Sequence, residues 1–372
     1  MLSEQDKHWM QRAIELARQG RFTTSPNPNV GAVIVKNNNC IGEGYHQQAG
    51  GPHAEVFALQ QAAAAAKGAT CYVTLEPCSH VGRTAPCAQA LIDAGVSRVV
   101  VAMQDPNPQV AGKGIALLEE AGIKVEVGLL AEQSRALNAG FLSRMEQKRP
   151  FVQLKLAASL DGRTALANGV SKWLTGAEAR ADVQLYRAQS CAILSTATTV
   201  LTDNARLNLR AEELSSSVPR LNNGLLRQPK KIILDRQHLL TGQEALFNDQ
   251  TEVLQCVTRL ENSKLKPHNA TQLLCKTAKD GRFDLVALLQ QLATEQQLNT
   301  LWVEAGATLA GSLISQRLVD ELIVYIAPKL LGNFAQPLAV LDNFTSLEQV
   351  PTLTWHSLTK VGADIKLTAR FN

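Results

Sequence analysis

A chain of 372 residues is too long for one ordinary domain and comfortable for two, each large enough to bury a core. Hydrophobic residues at 45% and charged residues at 19% describe a soluble globular protein, not a disordered one. A net charge of +4 argues against a nucleic-acid binder that works through bulk electrostatics, and no apolar run approaches the roughly 18 residues of a membrane span.

The first eight residues are polar and include acidic side chains, unlike a signal peptide, so a cytoplasmic location is expected. Seven cysteines without a disulfide framework fit a reducing compartment. Of these, Cys40, Cys71, Cys191, Cys256 and Cys275 lie in apolar strand-like runs and are expected to be buried packing residues. Divided after Lys148, the first part carries 13 basic and 13 acidic side chains and the second 24 and 20. That small excess suits anionic small ligands in the second part.

In chain order, the apolar period of Trp9, Met10, Ala13, Ile14, Leu16 and Ala17 predicts a helix over 4–20, ended by Gly20. Strands are expected over 29–35 and 40–45, joined by an Asn-rich turn into a hairpin. A helix entered near His53, a strand over 70–75, a helix over 86–94, a strand over 98–103, a helix over 115–121, a strand over 124–128 and a helix over 132–147 complete a layered α/β domain. Lys148, Arg149 and Pro150 read as a short linker.

The second part alternates again: strands over 151–157, 192–195, 231–234, 252–257 and 300–304, and helices over 177–188, 285–292 and 308–316. Its tail, 322–330, 352–359 and 365–371, reads as adjacent strands, an antiparallel edge on a second α/β domain. No G-x-G-x-x-G fingerprint stands at a strand-to-helix turn. The run Gly306, Ala307, Thr308, Leu309, Ala310, Gly311 after Glu304 is either a plain structural turn or a phosphate cradle at a helix N-terminus.

His53, Cys78 and Cys87 form a three-ligand zinc set that leaves a fourth tetrahedral position for water, the pattern of a catalytic site. Glu55 is then the unbound proton carrier of a hydrolytic deamination; H-x-E with P-C-x-x-C is the signature of zinc deaminases. Here residues 79–86 separate the two cysteines where the common signature has two residues, so this insert is expected to be a loop. Pro86 is expected at the first position of a helix, which places Cys87 in the first turn, where dipole and metal favour thiolate. Two residues apart on a 3.6-residue turn point about 200° apart, so His53 belongs at the helix entry and Glu55 inside. Asn27, in a proline-fixed loop, is a candidate for a pyrimidine edge or only a loop residue; His46, His80 and Lys113 either bind a phosphoribosyl group or are solvated.

The motifs Pro26, Asn27, Pro28 with Val30 and Gly31; Gly44, Tyr45, His46; His53, Ala54, Glu55; Thr74 through His80; Gly82, Arg83, Thr84; and Asp105 through Pro108 together resemble the bifunctional riboflavin-biosynthesis deaminase and reductase family. The resemblance continues through Gln153, Leu154, Lys155, through Ser159 to Arg163, and through Trp302 to Gly306, and so covers nearly the whole chain. It implies a cytidine-deaminase-like layered domain over 1–148 and a dihydrofolate-reductase-like domain over 149–372. It further implies one Zn²⁺ per chain, NADPH, a phosphorylated pyrimidine substrate and a homo-oligomer. Ala157, Trp173, Thr199, Asp203, Gly306, Ala307, Thr308, Leu309, Ala310, Gly311 and Ser312 would contact the cofactor. Ser171, Arg187, Leu207, Arg210 and Glu304 would contact the substrate, and Lys155 and Asp203 would handle protons. Two other readings share the zinc motif: a nucleic-acid base deaminase, weakened by the neutral first part, and a binding scaffold around a structural zinc, which needs a fourth ligand such as His80.

Overall fold

The computed structural model describes residues 2–79, 86–214, 218–221, 224–260 and 267–371. Of the motif residues, His80, Gly82, Arg83 and Thr84 lie outside the described residues. The chain divides into two compact units, Met1–Lys148 and Arg149–Asn372.

The first unit runs α1 (Glu4–Ala17), β1 (Gly31–Lys36), β2 (Asn39–Tyr45), α2 (Ala54–Ala62), β3 (Thr70–Val73), α3 (Cys87–Asp93), β4 (Arg98–Val101), α4 (Lys113–Glu120), β5 (Lys124–Val127), α5 (Ala131–Leu137) and α6 (Ala139–Leu142). Ser3 starts α1 by a reciprocal capping box with Asp6. Asn37 and Asn38, both at positive φ, make the tight turn between β1 and β2. Among the described residues the sheet order is β2-β1-β3-β4-β5, antiparallel around β1 and parallel from β3 to β5.

Alternation along β1 feeds two cores. Ala32 and Ile34 face the alanines of α2 (Ala54, Ala58, Ala62) with Leu91 and Leu118, while Val33 and Val35 face Met10, Ala13 and Ile14 of α1. Small residues along α2 let it lie close to the sheet, and that seating carries the start of α2 to the strand ends.

The second unit runs β6 (Phe151–Ser159), β7 (Arg163–Ala165), α7 (Ala177–Gln189), β8 (Ala192–Thr196), α8 (Ala197–Asp203), β9 (Lys230–Leu234), β10 (Val253–Val257), β11 (Ala270–Leu274), α9 (Leu285–Thr294), β12 (Thr300–Glu304), α10 (Ala307–Ser315), β13 (Glu321–Ala327), β14 (Gln336–Pro337), β15 (Leu353–Val361) and β16 (Asp364–Phe371). Its large sheet has the order β11-β10-β9-β8-β12-β6-β13-β16-β15 among the described residues. The seven strands from β11 to β13 are parallel, and β16 and β15 add the expected antiparallel edge. Because β8 and β12 are parallel neighbours, the helices that follow them, α8 and α10, begin at the same end of the sheet.

Several expectations change. The single helix over 132–147 is broken at Asn138, followed by α6 and a π-turn over Ser143–Gln147. The Asn138 amide instead brackets the Asn29 backbone, accepting from its N–H at 2.7 Å and donating to its carbonyl at 2.9 Å. Helical periodicity is a local signal and carries no information about that tertiary bond. Cys40 is exposed, because it lies just past the turn on the edge strand β2. Pro86 caps α3 from outside with ψ 139, leaving Cys87 as the first helical residue. Elements β7, α8, β11 and β14 were not expected; all are seven residues or shorter.

Asp6 ties α1 to the sheet: its carboxylate accepts from Tyr72 Oη at 2.7 Å and Arg98 Nη1 at 2.6 Å. Burial by itself raises the Asp6 carboxyl, but the bonds from Arg98, Ser3 and Tyr72 outweigh it and hold the group well below the usual carboxylate range. A depressed folded-state pKa contributes stability above the unfolded value near pH ~4 that is lost as pH falls. Asp6→Asn is therefore expected to lower unfolding free energy by about 2 kcal/mol at pH 7. Urea titrations should show the gap between variant and wild type closing as pH falls below about 4; a constant gap would count against this linkage.

Candidate active sites

In the first unit, His53 is the residue before α2, in extended conformation (φ −79, ψ 169), and Glu55 lies inside the first turn, as the spacing requires. Cys87 opens α3, whereas Cys78 sits in the loop after β3 and not on a helix. His53 Nδ1 lies 3.5 Å from Cys78 Sγ and 3.3 Å from Cys87 Sγ, and the three ligand atoms fall within 4.8 Å of one another. One nitrogen and two sulfurs at this spacing fit tetrahedral zinc with one position left over.

Around this cluster the charges are already biased. The Cys78 thiol is pushed down, chiefly by the hydrogen bond with Cys87, with burial opposing and His53 and the Cys87 backbone N–H adding to it. His53 is raised, first by its bond to Cys78. Glu55 is only 3% exposed, and burial pushes its carboxyl up to about 7. Its Oε2 is buried and has no hydrogen-bond partner among the described residues, which leaves it capacity to hold a proton.

His46 is buried and its pKa lowered, first by that burial. Its Nδ1 lies 3.0 Å from the Pro52 carbonyl, which can only accept, so the proton is on Nδ1. Nε2 is then the acceptor for Asn27 Nδ2 at 3.1 Å. The Asn27 amide is thereby oriented, with its carbonyl oxygen kept for another partner. His46 also stands edge-on to His53, ring centroids 5.3 Å apart. Asn27, His46, His53, Glu55 and Cys78 line a cavity of about 200 Å³ with Asn107, Phe141, Arg144 and Met145. Lys113, by contrast, is exposed and bonds the Pro108 and Gln109 carbonyls of its own loop. His80 lies outside the described residues.

Glu76 is the residue whose role sequence reasoning missed. Its buried carboxylate accepts four backbone N–H groups, from Asp105 (3.1 Å), Gly112 (3.0 Å), Gly114 (2.9 Å) and Ile115 (3.3 Å). This clamps the start of α4 onto the strand end two residues before Cys78. The approach is so close that a Cβ on Gly114 would stand 1.9 Å from the Pro77 carbonyl oxygen. An acidic residue directly before Pro77 and Cys78 was the available signal.

In the second unit, Glu304 ends β12 in register with Lys155 on β6. Arg187 grips it in a fork, Nε at 2.6 Å and Nη2 at 2.8 Å, while the Trp302 indole donates at 2.7 Å. Burial raises the Glu304 carboxyl, but the Arg187 charge and bonds, then Lys155 and Trp302, hold it at about 2. Lys155 is lowered by burial, with Glu304 and Asp203 pulling it back up. Asp203, exposed at the end of α8, is thus within electrostatic reach of Lys155. Arg187 Nη1 also donates to the Asn208 carbonyl at 2.9 Å, so its guanidinium is occupied within the protein.

A cleft of about 570 Å³ opens over the adjoining starts of α8 and α10. Thr199, Gly306, Ala307, Thr308, Leu309 and Ser312 line it, whereas Ala310 is fully buried and a Cβ on Gly311 would lie 1.8 Å from the Val340 carbonyl oxygen. Gly311 thus serves packing. A Cβ on Gly306 would meet nothing within 4 Å and would project into open space, which fits a backbone cradle for a phosphate-bearing cofactor. Asp235, Arg236 and Arg282 also line this cleft and were not anticipated. Ala157 lies on β6 beside Tyr325. Trp173 is exposed at φ 66, with the Arg180 guanidinium 4.3 Å over its ring, two residues after Ser171. Leu207 buries its side chain at φ 49, and Arg210 pairs with Glu213 at 2.7 Å.

Residues 3–103 match the cytidine and deoxycytidylate deaminase zinc-binding region, and residues 150–367 match the RibD C-terminal domain. The chain is 52% identical to the riboflavin biosynthesis protein RibD of Haemophilus influenzae, over 98% of this chain and 97% of that one. The chain belongs to the RibD family. It is likewise 52% identical to the Escherichia coli RibD, over 98% of each. The solved Acinetobacter baumannii RibD, form 1, superposes with a TM-score of 0.91 at 44% identity, covering 99% of each chain. A Thermotoga maritima structure, described as a diaminohydroxyphosphoribosylaminopyrimidine deaminase and 5-amino-6-(5-phosphoribosylamino)uracil reductase, does so with 0.85 at 32% identity over 99% of each. This chain is accordingly a bifunctional deaminase and reductase of riboflavin biosynthesis.

Glu76→Gln places an amide N–H₂ against backbone donors that a carboxylate satisfies. It is expected to weaken zinc retention and deaminase turnover by about tenfold or more. Metal analysis with ammonia release reads both, and unchanged values would show that the clamp does not reach the Cys78 loop.

Proposed function

We propose that the first unit replaces the 2-amino group of 2,5-diamino-6-(5-phosphoribosylamino)pyrimidin-4(3H)-one by oxygen, and that the second then reduces the ribosyl group to give 5-amino-6-(5-phosphoribitylamino)uracil. The observation that carries the first step is the buried, partnerless Glu55 oxygen beside the His53, Cys78 and Cys87 cluster. Zinc held by these three supplies, when bound, the Lewis acidity that makes water a nucleophile near neutral pH. Glu55 takes the proton from the attacking water and delivers it to the departing amine, which leaves as ammonia. Asn27, oriented through His46, accepts from the pyrimidine edge.

For the second step, Gly306, Ala307, Thr308, Leu309 and Ser312 with Thr199 hold NADPH, which supplies the hydride. The second unit's residues hold the ribosyl end: Lys155 and Asp203 deliver the proton to the ring oxygen as the anomeric carbon is reduced. Glu304, charged and locked by Arg187 and Trp302, keeps Lys155 oriented and protonated. Ala157, Trp173, Ser171 and Leu207 complete the walls, and Arg210 takes the phosphate. His80 would serve the deaminase. We read the chain as cytoplasmic and homo-oligomeric. Seven free cysteines support the first, and Trp355 and Leu358, exposed on edge strand β15, support the second. Among the described residues no helix is long and apolar enough to cross a membrane.

The test is stepwise: ammonia release from the diaminopyrimidinone ribosyl phosphate without NADPH, then NADPH oxidation on its addition. Glu55→Gln is expected to keep zinc and lose deamination by about 10²-fold or more, while reduction of the deaminated intermediate survives. Loss of both activities would sink the assignment of separate sites. Arg210→Ala should raise the reductase KM by about tenfold and leave the deaminase KM unchanged; equal effects would misplace the phosphate.

A further inference from the structure

We propose that Gln184, on helix α7, is a positioning residue of the reductase: it holds the backbone of Arg210, and through it the guanidinium that meets the substrate. The assignment rests on the reading of Arg210 given above. Gln184 is fully buried, and its Oε1 accepts the Arg210 N–H at 3.1 Å. Its Nε2, equally buried, has no partner among the described residues. A methionine or leucine at that place would leave no donor unsatisfied. Packing of α7 therefore does not account for a glutamine, whereas the bond to Arg210 does.

Residues 207–210 form an arm that is tied at successive positions. Arg187, three residues after Gln184 on the same helix, donates from Nη1 to the Asn208 carbonyl. Gln228 Oε1 accepts the Leu209 N–H at 2.8 Å, and Gln184 takes the next N–H, that of Arg210. At the head of the arm Leu207 stands at φ 49 with its side chain buried, a left-handed backbone that a residue with a Cβ keeps only where its surroundings hold it. Arg187 carries at the same time the fork on Glu304. One face of α7 thus sets both parts of the site: Arg187 fixes Glu304 and Asn208, and Gln184 fixes Arg210. Arg210 itself is extended (φ −104, ψ 110), and its side chain pairs with Glu213 while remaining 38% exposed. Its guanidinium is therefore aimed by the backbone below it. Without the Gln184 acceptor the end of the arm is free to turn, which weakens substrate binding but does not touch Glu304 and Lys155.

The test measures reductase kinetics on the deaminated phosphoribosyl intermediate with full-length wild type, Gln184→Met, Gln184→Glu, Arg210→Ala and the Gln184→Met, Arg210→Ala double variant. The KM for NADPH is the folding control of the second unit. Gln184→Met should raise the KM for the intermediate by about tenfold, with kcat and the KM for NADPH nearly unchanged. Gln184→Glu, which keeps an acceptor oxygen, should recover most of that loss, and the double variant should be no worse than Arg210→Ala alone. Where Gln184→Met fails the NADPH control, Gln184→Leu takes its place under the same criteria. A lower kcat at unchanged KM is the result of a merely structural residue and overturns the proposal. Wild-type kinetics in Gln184→Met, or KM rises that multiply in the double variant, overturn it as well, and all three leave the reading of Arg210 standing. A wild-type KM in Arg210→Ala overturns that reading and the proposal with it.

Discussion

The start of helix α2 is the constraint on which the first site depends. His53 ends an extended segment there, and Glu55 lies in the first turn of a helix whose alanines seat it on the sheet. That change of backbone conformation lets two residues on nearly opposite helical headings meet at one cavity. With the helix shifted by a residue, either the imidazole leaves the thiols or the carboxyl leaves the dry pocket. The fold therefore sets the ligand geometry and the acidity of Glu55 by the same packing.

Glu55 and Glu304 show how environment assigns a role. Glu55 is pushed up by burial beside a thiol pair and has an unpartnered oxygen, so it is poised to carry protons. Glu304 is held at about 2 by Arg187, Lys155 and Trp302, so it is a permanent anion. Glu76 is a third case, acting through geometry as an acceptor for four backbone donors. A carboxylate's work follows from what surrounds it, not from the residue type.

The second site is a product of sheet order. Because β8 and β12 run parallel as neighbours, two helices begin side by side and their first turns line one cleft, the place we propose for the cofactor, without a glycine fingerprint. Glycine serves both aims there: Gly306 opens toward the cleft, and Gly311 admits the 340 segment.

Much of this was legible in the sequence, for local reasons. Residue chemistry and spacing identified His53, Cys78, Cys87 and Glu55, and a 3.6-residue turn dictated that His53 stand outside the helix and Glu55 inside. Period-2 and helical patterns located most strands and helices, and the antiparallel tail. Tertiary structure decided the rest. The helix over 132–147 breaks because Asn138 is captured by Asn29, 109 positions away. Arg187, on helix α7, is occupied because Glu304 arrives beside it from strand β12, 117 positions on. Glu76 reaches four amides spread over the 105–112 loop and the first turn of α4, whose path no local pattern encodes. Motif and periodicity are properties of neighbours along the chain, whereas hydrogen-bond partners, burial and acidity belong to neighbours in space.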